Sequence, residues 1–424
     1  MLTHIEAMAN MQKKFNGCGP LLRPNGAKEA SLKQLVFQQV RASGRATRTA
    51  ITQALDISAG SATILTADLI ARGILREVDE PAIGLSRGRP RVALEVVPEA
   101  AYIIGIKLSF NQHSAVLSDF AGNVVATVVL PSTELRRSTA QMATEIEALI
   151  EKVCAEGGKS SCDIRAVGIG LPGIVNHNSG TITWSSLLKE RDQDLRAVFA
   201  KKCDTPLYLD NDTNMLTLAE LWFGIGRDMT DFAVVTIEDG VGMGLVVKNQ
   251  LYRGTHGMGL ELGHTKVQLD GALCACGQRG CLEAYLADYA LKREAATALD
   301  QDTADLKTSN ELLDVLFQQA KAGNSAAEMI FRRAGRFLSV GLSNVVQLFD
   351  PPLIILSGKQ MQHNDLYADT VFAEMQKLTL SDNRDPCRIA IHAWGDLVWA
   401  RGATVPALQA ITAMMVNGLE APHR

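Results

Sequence analysis

The chain has 424 residues, which at ~100–200 residues per domain predicts several domains with ample core and excludes a small scaffold stapled by disulfides or metal. Its 42 Lys and Arg face 46 Asp and Glu, a formal net charge of -4 that, taken whole, argues against a nucleic-acid binder, because neutralising phosphates needs a basic surface. The average hides an asymmetry: residues 1–98 carry 13 basic and 8 acidic side chains, for +5, while residues 99–424 carry 29 and 38, for -9. A basic head on an acidic body suggests a modular protein.

Apolar runs such as 124–130 fall far short of the ~18 residues of a membrane span. Residues 1–10 show no basic segment followed by an apolar one, so no secretory signal is visible and a cytoplasmic, non-membrane protein is expected. Residues 1–27, rich in Met, Asn and Gly without a period, read as a flexible arm. From Lys28 onward Leu32, Leu35, Val36 and Val40 recur at helical spacing, and Ser43-Gly44 closes that helix. Thr47 is placed to cap a second short helix ending at Leu55. Ser58 is placed to cap a third, running to about Arg72 with Leu65 and Leu69 inward and Gly73 at its end.

Residues 74–78 and 92–97 read as two strands joined by a loop that contains Arg87, Arg89 and Arg91. Three short helices followed by a strand pair predict a winged helix-turn-helix DNA-binding domain over 28–98. Its third helix would enter the major groove, with Ser58, Ala59, Gly60, Ser61 and Thr63 near the bases. Those side chains are short, so Arg48 and the arginine wing would supply much of the contact, through phosphates, the minor groove and DNA shape. The alternative for this head is a protein-contact unit whose arginines are a solvated loop.

Past Pro98 apolar strands alternate with longer amphipathic helices, the pattern of an α/β body. Strands are predicted at 102–108, 114–117, 124–130, 166–171, 206–209, 232–237, 243–247 and 353–356. Helices are predicted at 139–154, 215–223 and 326–348. The strand-turn-strand opening at 102 recurs at 232, which suggests a duplicated architecture with a cleft between two lobes.

Two segments carry chemistry. Asp210-Asn211-Asp212-Thr213-Asn214 follows a strand, where α/β folds place ligand groups, and reads equally as a helix cap. Glu261-Leu262-Gly263-His264 is followed by Cys274-Ala275-Cys276-Gly277-Gln278-Arg279-Gly280-Cys281-Leu282-Glu283. One His and three Cys at 264–281 can complete a tetrahedral structural zinc site, and their clustering favours metal over disulfides; free buried cysteines are the alternative. Glu261, His264 and Glu283 are candidates for one polar pocket, and carboxylates and amides suit hydroxyl-rich ligands.

Those two segments resemble the ROK family of repressors, open reading frames and kinases, and in particular its sugar-responsive bacterial repressors. The resemblance runs from about Lys28 to the C-terminus. It implies that residues 99–424 form a two-lobed actin/hexokinase-like (ribonuclease H-like) sugar-binding domain. It also implies that His264, Cys274, Cys276 and Cys281 hold zinc, and that Asn211, Asp212, Glu261, His264 and Glu283 line the sugar site. In the family's kinases the residue matching Asp212 is the catalytic base. Here the two phosphate loops depart from the kinase pattern. Lys107-Leu108-Ser109-Phe110-Asn111 stands for Asp-x-Gly-Gly-Thr, and Glu238-Asp239-Gly240-Val241-Gly242 for Gly-Thr-Gly-x-Gly; the first loses its glycines and the second gains two carboxylates, both against phosphate binding. The expectation is a regulator, a repressor of sugar uptake or catabolism genes with no enzymatic activity, in which Asp212 is a vestigial base. Its partners would be a pseudo-palindromic operator and a sugar or sugar-phosphate effector, and it would act as a homodimer or homotetramer. An active sugar kinase with an appended DNA-binding head is the alternative.

Overall fold

The computed structural model describes residues 17–22, 31–79, 92–132, 134–298, 309–361, 368–380, 385–392, 395 and 397–418. The chain divides into two compact units, one of residues 1–230, 248–250 and 396–424, the other of 231–247 and 251–395. The boundary expected at Pro98 therefore lies inside the first unit. No single helix among the described residues is long and apolar enough to cross a membrane.

The first unit opens on α1 (Leu32–Ser43), α2 (Arg48–Leu55) and α3 (Ala59–Ala71). Each starts at a side-chain cap, the hydroxyls of Ser31, Thr47 and Ser58 accepting the backbone N–H groups of Gln34, Ala50 and Ser61, which satisfies donors that the first turn leaves unpaired. Strands β1 (Arg45–Thr47), β2 (Leu75–Asp79) and β3 (Val92–Val96) form an antiparallel sheet in the order β1-β3-β2. Val36, Phe37, Val40, Ile51, Leu69 and Leu94 are buried between helices and sheet.

The body of this unit is a five-stranded sheet in the order β11-β7-β4-β5-β6. Its strands are β4 (Tyr102–Lys107), β5 (Gln112–Asp119), β6 (Val124–Pro131), β7 (Ile164–Leu171) and β11 (Leu207–Asn211). The first three form an antiparallel meander, while β7 runs parallel to both β4 and β11. Between β7 and β11 the chain adds a small antiparallel sheet of β8 (Ile174–Asn176), β9 (Thr181–Trp184) and β10 (Gln193–Asp194).

The two faces of the large sheet differ in a way that alternation explains. Ile104, Ile106, Val167 and Ile169 pack with Met142, Ile146 and Leu149 of α4 (Thr139–Glu156) and with Phe199 of α5 (Leu195–Phe199). The intervening Gly105 and Gly168 face the C-terminal helix, Leu397–Asn417, so closely that an added Cβ would lie 1.9 Å from the Ala400 oxygen and 1.7 Å from the Ala403 oxygen. That helix is buried on all sides, as its near-continuous apolar sequence requires. It also packs against α6 (Asp212–Phe223).

The head is fastened to this body. Arg41 donates to Thr412 Oγ1 at 2.8 Å, Ser31 Oγ to Asn417 Oδ1 at 2.9 Å, and Arg227 to the Ala42 carbonyl at 2.6 Å. Gly17–Leu22, part of the arm expected to be flexible, is instead an extended strap. Its amides at Cys18, Gly19 and Leu21 donate to the carbonyls of Arg41, Trp222 and Arg227, and Cys18 is buried. Composition gave no sign of this, because the partners are supplied by segments far along the chain.

The second unit is built on a sheet in the order β14-β13-β12-β15-β16, formed by β12 (Phe232–Ile237), β13 (Val241–Val247), β14 (Gln250–Tyr252), β15 (Leu353–Ser357) and β16 (Arg388–Ile391). β15 is parallel to β12 and β16. Helices α7 (Glu283–Leu286), α8 (Asp288–Ala298), α9 (Ser309–Lys321), α10 (Ser325–Phe349) and α11 (Ala368–Leu378) complete it. The core joins Val235, Ile237, Leu245 and Leu356 to Leu338, Leu342 and Val345 of α10.

Candidate functional site

The cysteine segment is a loop between β14 and α7, closed by the bridges Lys266 to Cys281 and Leu273 to Arg279. Gly277, at φ 88, makes the turn that returns Gln278 to Cys274, and a side chain would be strained there. Tyr285 anchors the loop, accepting the Ala272 amide at 2.8 Å and stacking on Phe337 with ring centroids 3.8 Å apart.

This folding brings one ligand atom each of His264, Cys274, Cys276 and Cys281 within 4.8 Å of one another. Cys276 and Cys281 sulfurs are 3.8 Å apart, and Cys274 Sγ is 3.7 Å from His264 Nδ1. A tetrahedral ion with M–S of ~2.3 Å and M–N of ~2.0 Å spaces its ligands by roughly 3.5–3.8 Å, so the four residues could hold a metal ion. The cysteines differ: burial pushes the Cys274 thiol up to about 12, whereas, against the effect of burial, the Gln278 backbone and the neighbouring sulfurs hold the Cys276 thiol below its ordinary value. Lys266 Nζ donates to Cys281 Sγ at 2.9 Å, and that contact raises its own pKa. Three thiolates on a dication leave one excess negative charge, which this ammonium offsets.

Glu283, expected in a sugar pocket, lies beside the cluster. It is 9 % exposed; Oε1 accepts from Cys274 Sγ and the Tyr289 hydroxyl, both at 3.4 Å, and Oε2 from the Val241 amide at 3.3 Å. Glu261 is exposed and precedes the short turn Leu262–His264. The second unit thus brings His264, Glu283 and the cysteines together.

In the first unit Asn211 ends β11 and caps α6. Its Oδ1 accepts the Thr213 and Asn214 amides, and its Nδ2 donates to the Gly173 carbonyl at 3.0 Å. Much of the amide expected at a sugar is therefore engaged in holding the strand-to-helix turn. Asp212 is the first residue of α6 and is half-buried.

The two segments expected to stand for kinase phosphate loops contact the protein's own groups. Lys107 is buried, its ammonium 3.6 Å from the centre of the Trp399 ring. The Ser109 amide, which a phosphate loop would aim at an anion, donates to His113 Nδ1 at 3.2 Å. In the second unit Glu238 accepts the Lys359 amide at 3.2 Å.

On the head, Ala59, Gly60 and Thr63 are exposed along the first turns of α3, Ser61 is half-buried, and the hydroxyls of Ser58 and Ser61 hydrogen-bond to each other. Arg48, expected at DNA, is engaged within the head instead, with Nε on Thr66 Oγ1 at 3.1 Å and its terminal nitrogen on Glu77 at 2.7 Å. Sequence reading missed Ile64, which is 72 % exposed on the same helix; an isoleucine outside the apolar period was the available signal. Arg87, Arg89 and Arg91 lie outside the described residues.

Those described residues of the head contain six basic and five acidic side chains, and five of the six basic ones are paired: Lys33 and Arg72 with Asp68, Arg45 and Arg76 with Glu95, Arg48 with Glu77. Four of the five excess positive charges of residues 1–98 thus belong to 1–16, 23–30 and 80–91.

The body is thus an α/β fold of two sheeted units, with a His/Cys cluster beside a buried carboxylate in the second. The profile of the ROK family matches residues 103–410, and the chain belongs to that family. It is 29 % identical over 343 residues to the xylose repressor of Caldicellulosiruptor bescii, covering 80 % of this chain and 85 % of that one. Among solved structures it is similar to a ROK family transcriptional regulator homologous to the Escherichia coli MLC protein, with TM-score 0.75 and 23 % identity over 91 % of this chain and 96 % of that one. The ROK hexokinase of Thermus thermophilus matches with TM-score 0.60 and 26 % identity, over 72 % of this chain and 97 % of its own.

Proposed function

We propose that this protein is a DNA-binding transcriptional repressor whose body binds a sugar or sugar derivative and carries a structural zinc. The observation that carries the reading is the joining of a capped three-helix head to a ROK body whose phosphate-loop segments bond to the protein's own groups. The regulator neighbour spans nearly the whole chain, whereas the hexokinase neighbour leaves more than a quarter of it unmatched.

In this reading the head is a winged helix-turn-helix, with α3 in the major groove. Ser58, Ala59, Gly60, Ser61 and Thr63 approach the bases, Ile64 packs on a thymine methyl, and Arg87, Arg89 and Arg91 engage phosphates or the minor groove. The residues expected at the sugar are Asn211, Asp212, Glu261, His264 and Glu283, whose carboxylates, amide and imidazole suit hydroxyl groups. His264, Cys274, Cys276 and Cys281 would hold zinc, which would fix the orientation of the imidazole and leave its other ring nitrogen for the ligand. Effector binding changes DNA affinity by favouring one arrangement of the protein over another. A homodimer or homotetramer provides the paired heads that a pseudo-palindromic operator requires.

Gel-shift titration against the DNA upstream of its own gene, at several salt concentrations, tests this. Replacing Arg87, Arg89 and Arg91 together by Ala should flatten the slope of log K against log salt by about 3, at about 0.9 per lost phosphate contact. Ile64→Ala should keep the slope and lose on the order of 1 kcal/mol of discrimination. A full-length protein that forms no salt-sensitive complex would refute the reading.

The rival, an active sugar kinase, is favoured by the retained Asp212. It predicts sugar-dependent ATP consumption at ~1–10³ per second. We expect none over a panel of hexoses in a coupled assay; the Ser109 amide that donates to His113 and the Lys107 ammonium that lies over Trp399 support that expectation.

A further inference from the structure

The seam between head and body, within the first unit, holds a concentration of cation that the DNA and sugar sites do not use. Arg41 is 2 % exposed, its guanidinium between Phe37 and Trp222. Arg227, also buried, donates to the Gly19 and Ala42 carbonyls. Arg401 stacks over Phe223 at 4.1 Å, and its buried Nε has no hydrogen-bond partner among the described residues. Neither Arg41 nor Arg401 meets a carboxylate within ion-pair distance among those residues.

The Asp119 carboxylate, held by the amide and Nδ2 of Asn123, both at 2.9 Å, is not within ion-pair distance of Arg41 or Arg401. Burial pushes the Cys18 thiol up, so it stays uncharged. Buried guanidinium groups left without a counter-charge are costly, and such a site gains most from an anion.

A cavity of about 620 Å³ opens at this place, within the range of small-molecule sites. Its wall is assembled from the strap at Cys18, the α1–β1 turn at Gly44 and Arg45, β3 at Glu95, the β5–β6 turn at Asn123, and Arg401. The one carboxylate on that wall, Glu95, is already shared by Arg45 and Arg76. Head and body both contribute, so an occupant touches the two at once.

We infer that this cavity is a binding site for a small dianion, free phosphate or a phosphate monoester, with Arg401 as the principal ligand, and that occupancy couples the head to the body. Arg401 supplies a planar fork of donors suited to two phosphate oxygens, and Arg45 flanks it. The coupling half rests on the DNA-binding reading; the binding half does not.

The test uses full-length, zinc-loaded protein titrated with inorganic phosphate and with glucose 6-phosphate, at ionic strength held constant with potassium chloride. Melting temperature and calorimetric Kd are read. Phosphate should raise the wild-type melting temperature, and Arg401→Gln should weaken its Kd at least ~10-fold, the value of a lost charge-assisted pair. Arg45→Gln, at a side chain 53 % exposed, tests the site without disturbing the fold and should weaken it severalfold. Glu283→Ala should leave the phosphate Kd unchanged, which separates this cavity from the proposed sugar pocket. An absent wild-type response, an equal response in Arg401→Gln, or a response lost in Glu283→Ala would each overturn the site. Operator affinity is then measured with and without phosphate: a shift in wild type that is missing in Arg401→Gln supports coupling, and binding without any shift overturns it.

Discussion

Replacing Cys281 by serine is expected to release the metal and to unfold the loop between β14 and α7. The loop has little apolar core of its own beyond Tyr285 and Val267, which pack with Cys274, Cys281 and Ala284, so the ion would hold ends that the sequence cannot otherwise join. Serine keeps the size of the side chain and removes the soft thiolate, leaving at most three ligands at spacings set for four. Structural zinc contributes ~10–16 kcal/mol where folding depends on it wholly; here the rest of the second unit persists, and a loss of ~4 kcal/mol or more is expected. Metal content by plasma mass spectrometry should fall from one per chain to near zero, and the melting temperature should fall with it. Cys162→Ser, at an exposed cysteine outside the cluster, should change neither. Full metal retention in Cys281→Ser would remove His264 and the three cysteines as the ligand set. Because His264 stands in both the proposed metal set and the proposed sugar set, the same variant should also lose any sugar-induced rise in melting temperature.

Gly168→Ala is expected to be as damaging, for a steric reason. The new methyl would sit 1.7 Å from the Ala403 carbonyl oxygen, and both the strand and the helix there are backbone, so no side-chain rotation relieves the overlap. Overpacking a core commonly costs ~1–3 kcal/mol, and a clash between two main chains lies beyond that range. The C-terminal helix must move away, and with it Thr412, which holds Arg41 of the head. Urea unfolding should show a loss above ~3 kcal/mol or an insoluble protein. Gly60→Ala provides the contrast: its Cβ would meet nothing closer than Ser58 Oγ at 3.7 Å, and in a helix it should gain ~0.5–1 kcal/mol. Wild-type stability in Gly168→Ala would mean that the C-terminal helix does not lie on this sheet.

Much of the local architecture was legible because its causes are local. The caps at Thr47 and Ser58 fall where the hydroxyls precede apolar periods. Strands at 102–107, 164–171, 232–237 and 353–357 follow from short apolar runs bounded by turns. The cysteine cluster was readable because Cys-x-Cys and the glycines at 277 and 280 already confine the sulfurs to a few ångströms. Arg48 and Asn211 were harder, since a polar side chain beside a ligand site and one bracing the fold look alike in sequence. Their hydrogen bonds to Glu77 and Gly173 show that each braces its own part of the fold.

By itself, then, the sequence determined the helices of the head, the α/β body and the clustering of His264 with the three cysteines, since caps, periodicity and spacing act within a few residues. Only the tertiary structure decided that the C-terminal helix returns to the first sheet, that Gly17–Leu22 is a strap, and that Arg41, Arg227 and Arg401 all reach the seam between head and body. Those contacts join residues as far apart as Arg41 and Thr412, 371 positions away. No local propensity encodes them; they follow from where glycines let main chains approach and where buried donors find acceptors. The same holds for charge. The -4 of the whole chain and the +5 of its head are sums, and ion pairing leaves most of the head's surplus in residues 1–16, 23–30 and 80–91.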